Sequence, residues 1–207
     1  MASTSYPRQA RRKALRVPLV AVLGVLALIV WLLARNPGSP VVLQARSLPP
    51  FSAVELAGSN VVAVTVGGRQ SVAVRARKDM LGQVTTRVVA GTLVIGNTPG
   101  RHNTKGPMIV LVALPRLDSV AISGSGVVGA KGASRRLNVS LGGSGDLELA
   151  QLVARQVRAV LSGSGRIDVT ATDSLEASLS GSGVIQYAGN PPHVTTSVTG
   201  SGTIVPG

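Results

Sequence analysis

Five serines stand in one setting, each held between two glycines: Gly124-Ser125-Gly126, Gly143-Ser144-Gly145, Gly163-Ser164-Gly165, Gly181-Ser182-Gly183 and Gly200-Ser201-Gly202. Three kinds of chemistry use such a phrase. A nucleophilic serine rides on a tight glycine turn, but the hydrolase elbow is G-x-S-x-G, which none of the five forms. The histidines that could serve as base are His102, in a Gly/Pro-rich loop, and His193, behind Pro191-Pro192; neither has a carboxylate at a recognisable spacing. A phosphate cradle is the second possibility, since Gly124-Ser-Gly126-Val-Val-Gly129 matches G-x-G-x-x-G, with Asp146 further on. That fingerprint works only when a helix opens at the glycines and turns its N-terminus to the pyrophosphate. Here the glycines run instead into AKGASRRLNVSL and then another copy of the phrase. The third possibility is a structural corner, repeated.

Two further sets of side chains bear on function. Glu148 and Asp168 each lie five residues beyond the first glycine of their copy and approach one another if the copies stack. A polysaccharide lyase or hydrolase would use such acids with a basic partner. Arg116, Arg135 and Arg155 each lie eight residues before a Gly-Ser-Gly. Stacking would make them a guanidinium ladder running on to Asp173, with Lys131 and Arg136 nearby. Like charges at that spacing repel mildly, yet they suit a ligand with repeating phosphates or uronates. These three arginines are the candidate ligand residues. No group has metal-ligand spacing, no cofactor is implied and no catalytic residue is assigned.

The elements that must carry these residues are set by the period. The copies of Gly-Ser-Gly are 19, 20, 18 and 19 residues apart. Two residues before each stand Ile122, Leu141, Leu161, Leu179 and Val198; four residues after stand Val128, Leu147, Ile167, Ile185 and Ile204. Polar or small residues alternate with them, the period of a β-strand. Short strands recurring in a fixed order every 18–20 residues describe a parallel β-helix, in which each coil buries its aliphatic side chains only against its neighbours. The phrase is then the corner of each coil, with stacked serine hydroxyls expected to satisfy the turn. The same register places Arg158 over Glu176 and Asp146 beside Arg166 as cross-strand ion pairs.

Composition agrees. Aromatics make up 2% of the 207 residues, so the core is aliphatic, and stacking on nucleic-acid bases is not expected. Cysteine is absent, which excludes disulfides, thiol chemistry and a lipobox anchor. The net charge of +13 is uneven: Arg8, Arg11, Arg12, Lys13, Arg16 and Arg35 belong to the first 36 residues, which hold no acid. Residues 17–34, VPLVAVLGVLALIVWLLA, carry no charge and suit a membrane-spanning signal anchor. The basic flank then puts residues 1–16 in the cytoplasm and the rest outside it. A cleaved signal peptide is disfavoured by the length of the core and the lack of an A-x-A site. Residues 35–50, rich in proline, read as a linker, 51–117 as less regular β coils or a cap, and 118–207 as the regular solenoid.

The series LPPFSAVELAGSNVVAV, TTRVVAGTLVI, PRLDSVAISGSG and the LSGSG coils resembles the putative auto-transporter adhesin, head GIN domain family of bacterial envelope proteins, over about residues 47–204. The resemblance implies a right-handed parallel β-helix outside the cytoplasm. The expected protein is therefore a single-pass, membrane-anchored module that binds or scaffolds without catalysis. Its expected partners are anionic envelope glycans or lipid head groups, with a second copy or a cap at the C-terminal coil. An envelope glycan enzyme is the alternative.

Overall fold

A computed structural model of the chain describes residues 39–99 and 108–207. Its strands are β1 (Val41–Arg46), β2 (Ala53–Ala57), β3 (Val61–Val66), β4 (Ser71–Arg77), β5 (Val84–Val89), β6 (Thr92–Asn97) and β7 (Ile109–Leu114), then β8 (Ser119–Ile122), β9 (Val127–Leu141), β10 (Asp146–Gly163), β11 (Arg166–Gly181), β12 (Val184–Ala188), β13 (His193–Gly200) and β14 (Thr203–Pro206). A 3₁₀ helix, Lys78–Gln83, links β4 to β5. Among the described residues no helix is long and apolar enough to cross a membrane; the anchor expected at 17–34 lies outside them, as do the 1–16 tail and His102.

β10 is 18 residues long, which would reach about 60 Å if straight. It bends instead. Pairing with β11 shifts register between Leu149 and Val153 and again between Ala154 and Gln156, and these irregularities are the corners of a coil. Each coil therefore has a face after the Gly-Ser-Gly, a short middle face and a face leading to the next Gly-Ser-Gly. All pairings from β8 to β14 are parallel, and their offsets match the sequence period: Ile122 pairs with Leu141, Leu141 with Leu161, Leu161 with Leu179 and Leu179 with Val198. Val128, Leu147, Ile167, Ile185 and Ile204 stack likewise on the first face. Leu141, Leu161 and Leu179 are buried one above another. The fold is all-β with solenoid stacking, as the period predicts.

The corner is tighter than serine chemistry requires. The turn N–H groups bond to main-chain carbonyls of the coil below: Ser164 to Gly143 at 3.2 Å, Ser182 to Gly163 at 3.0 Å and Val184 to Gly165 at 3.0 Å. The five serines are exposed, and the expected hydroxyl ladder is replaced by these backbone bonds. The glycine after the serine has no room for a side chain. A Cβ on Gly183 would lie 2.5 Å from the Gly165 carbonyl oxygen and 2.7 Å from a Leu161 methyl.

The coils continue below the regular repeat, out of chain order. β2 and β3 pair in parallel with β8 and β9, and on their other side with β6 and β7. Antiparallel strands then finish this end: β4 beside β7, β1 beside β4, and β5 beside β6. Val41–Arg46 thus forms a paired strand where an extended linker was expected, because its VVLQAR segment can bond along the free edge of β4. Met80, 1% exposed, closes the core beneath.

Gly58-Ser59-Asn60 is a sixth corner, stacked under Gly124-Ser125-Gly126. Asn60 is 2% exposed, and its carboxamide exchanges two hydrogen bonds with that of Asn97, at 3.1 and 3.3 Å. This amide pair ends the glycine column. Asn60→Ala leaves the Asn97 amide without its partner, so a loss of about 1–3 kcal/mol is expected in urea unfolding. Asn97→Ala should cost a similar amount, and the double variant less than the sum of the two.

Candidate functional site

Two rows of larger polar side chains stand on the face leading into each Gly-Ser-Gly, ahead of a third row of Ser140, Val160, Ser178 and Ser197. One row is Arg136, Gln156, Ser174 and His193; the other is Asn138, Arg158, Glu176 and Thr195. Successive members are about 4.8 Å apart along the solenoid, and the rows are about 6.7 Å apart along the strand. Between them lies an open, shallow depression of about 450 Å³. Arg136 donates from Nε to Gln156 Oε1 at 3.1 Å, and Arg158 pairs with Glu176 at 3.2 Å. The Arg158–Glu176 pair matches the predicted register. With side chains 62% and 56% exposed, it contributes little to stability.

The predicted arginine ladder is only partly assembled. Arg135 and Arg155 occupy equivalent positions in adjacent coils, because Ala154 pairs with Ser134 and Gln156 with Arg136 on either side of them. Both are exposed, and neither has an ion-pair partner among the described residues. Arg116 is already engaged: its Nε lies 3.0 Å from the Asp118 carboxylate, two residues along. The free cationic surface is therefore a two-arginine corner at the edge of the polar face, with Arg136 on the adjoining row. Asn138 and Gln156 do not stand out in the sequence, and His193 reads there only as a loop histidine, not as part of this face. Their signal was positional, five or seven residues before a Gly-Ser-Gly.

The acids lie on another face. Glu148 pairs in register with Asp168, as expected, between Gly129 and Gln186. Arg166 does not turn to Asp146, its register partner. Its Nε reaches both Asp168 oxygens, at 2.9 and 3.0 Å, and its Nη2 bonds Gln186. Asp168 wins because it projects from the same face two residues along the same strand, where the one Nε–H reaches both oxygens. Asp168, and more weakly Asp146, raise the Arg166 pKa above its ordinary value, so this cation is fixed. Among the described residues no group of His, Asp or Glu could hold a metal ion.

A protein-family model, the putative auto-transporter adhesin, head GIN domain, matches residues 50–132 and 119–191. The two matches together span most of the coils. The chain belongs to the head GIN domain family. Among solved structures it is similar to a putative adhesin from Bacteroides fragilis, at 20% identity and a TM-score of 0.54, covering 82% of this chain and 98% of that one. A putative adhesin from Parabacteroides merdae is matched at 15% identity, 83% and 98% coverage and a TM-score of 0.38. A putative lipid binding protein from Parabacteroides distasonis is matched at 17% identity, 83% and 98% coverage and a TM-score of 0.35. No curated protein matches. The first likeness places the head GIN domain of this chain in a known fold.

Proposed function

We propose that this head GIN domain is a non-catalytic, adhesin-like binding module held outside the cytoplasm by an anchor at residues 17–34, and that its arginine-bearing side takes anionic envelope polymers or lipid head groups. Membership of a family described as adhesin supports the general role. The observation that carries the ligand class is the exposed, unpaired couple Arg135 and Arg155 in adjacent coils. Two guanidiniums carried on strands about 4.8 Å apart repel one another until an anion bridges them. Each offers a flat fork that fits a phosphate or carboxylate. A polymer running along the solenoid would meet Arg136 and the Gln156 and Asn138 amides next. The acids that a glycan enzyme would use are on a different face, and Asp168 is held by Arg166.

The test is binding of the full chain, held in phosphatidylcholine nanodiscs, to polygalacturonate, to dextran, and to vesicles with and without phosphatidylglycerol. Binding to the anionic probes that weakens with salt, and falls about tenfold or more in Arg135→Glu/Arg155→Glu, is expected. Polymer and vesicle arms separate a glycan from a head group. Equal binding of parent and variant, or equal binding to dextran, sinks the reading.

A further inference from the structure

The two ends of the solenoid are finished differently. At the N-terminal end the core is covered by Met80 and Gln83, and the outermost elements carry Arg46, Lys78, Asp79 and Arg87. Charged side chains of this kind keep strand edges from pairing with other chains. The last coil has no such guard. β13 pairs only with β11, and β14 only with β12, so their outer N–H and C=O groups have no main-chain strand partner among the described residues. Val194 and Val198 are 42% and 46% exposed, while Leu175 and Leu179, in register beneath them, are 2% and 1% exposed. Residues 177–207 contain no Lys, Arg, Asp or Glu, in a chain of net charge +13.

We propose that a second copy of this chain covers this end, β13 pairing antiparallel with its counterpart about a two-fold axis at Thr196. Three observations select a second copy over an unrelated partner. The segment Val194-Thr195-Thr196-Ser197-Val198 reads nearly the same in both directions, which is what a self-complementary two-fold contact requires. With Thr196 opposite Thr196, Val194 of each copy meets Val198 of the other on the core side, so both exposed valines are buried and the aliphatic column runs on through the junction. Two strongly basic molecules also meet here without opposing formal charges. β14 is excluded from the same role by Pro206. Thr203 and Gly207 point their N–H groups inward to β12, so the alternate position 206 faces outward, where proline has none to offer.

Sedimentation of the full chain in detergent should show a dimer at micromolar concentration. Thr196→Lys sets two ammonium groups against each other and should weaken association about tenfold or more, while its circular-dichroism melt matches the parent's once both are diluted to monomer. The chain has no cysteine, so Thr196→Cys gives an independent readout. Antiparallel partners have Cα atoms about 4.5–5.5 Å apart, within disulfide reach. Mild oxidation should link this variant into a covalent dimer much faster than Ser140→Cys, which lies on a side face. A parent that stays monomeric, a dimer retained by Thr196→Lys, or a Thr196→Cys linked no faster than Ser140→Cys overturns the proposal. Arg135, Arg136 and Arg155 are untouched by these substitutions, so the outcome is independent of the polymer-binding reading.

Discussion

Leu161→Ala is expected to remove about 3 kcal/mol from the unfolding free energy and to lower the melting temperature by about 6–12 °C. Leu161 is fully buried, and it is stacked between Leu141 below and Leu179 above. Removing its isopropyl group opens a void touching two neighbouring coils. The backbone cannot collapse into that void, because each strand is fixed by hydrogen bonds on both edges. Urea unfolding monitored by circular dichroism measures the loss. A change under about 1 kcal/mol would mean that the coils are not packed as one column. Val198→Ala, at the same position of the bare last coil, should cost far less, because that side chain is already 46% exposed.

Gly183→Ala should cost about 1–3 kcal/mol by the opposite route, overpacking. The added methyl would lie 2.5 Å from the Gly165 carbonyl oxygen and 2.7 Å from a Leu161 methyl. The leucine is confined by the core and the carbonyl accepts the Val184 N–H, so neither can yield cheaply. Gly181→Ala adds a second burden, since φ is +130° there. Ser182→Ala is the matched control: its side chain is exposed and its N–H bond to Gly163 is main chain, so its melt should hardly move. If Ser182→Ala proved as damaging as Gly183→Ala, the hydroxyl would have a role that the geometry does not give it.

The contrast between those glycines and that serine marks what can be read from residue types. The spacing of Gly-Ser-Gly and the aliphatics on either side of it require stacked coils, since no single coil can bury its own apolar side chains. Position-by-position stacking of Leu141, Leu161 and Leu179 is a direct consequence. The order of the first coils is not. Alternation marks β2, β3, β6 and β7 as strands, but no repeated corner says that β6 and β7 lie outside β2 and β3. Asn60 hid the sixth corner, because a residue with a side chain stands where every later copy has glycine.

At the site, register placed Arg135 beside Arg155 and Arg158 over Glu176, because both depend only on the repeat. Side-chain choice was harder. Arg116 turns to Asp118, and Arg166 to Asp168, each two residues along its own strand. In a strand that spacing returns to the same face, so an ion pair within one coil competes with one between coils, and period alone does not rank them.

Each level of the solenoid touches only the level above and the level below. Duplicating a segment of some nineteen codons would therefore lengthen the molecule by about 4.8 Å and leave every existing contact in place. The separation between the N-terminal cap and the last coil is in this sense a ruled scale, adjustable by whole divisions through recombination within the gene and with no redesign of the protein around it.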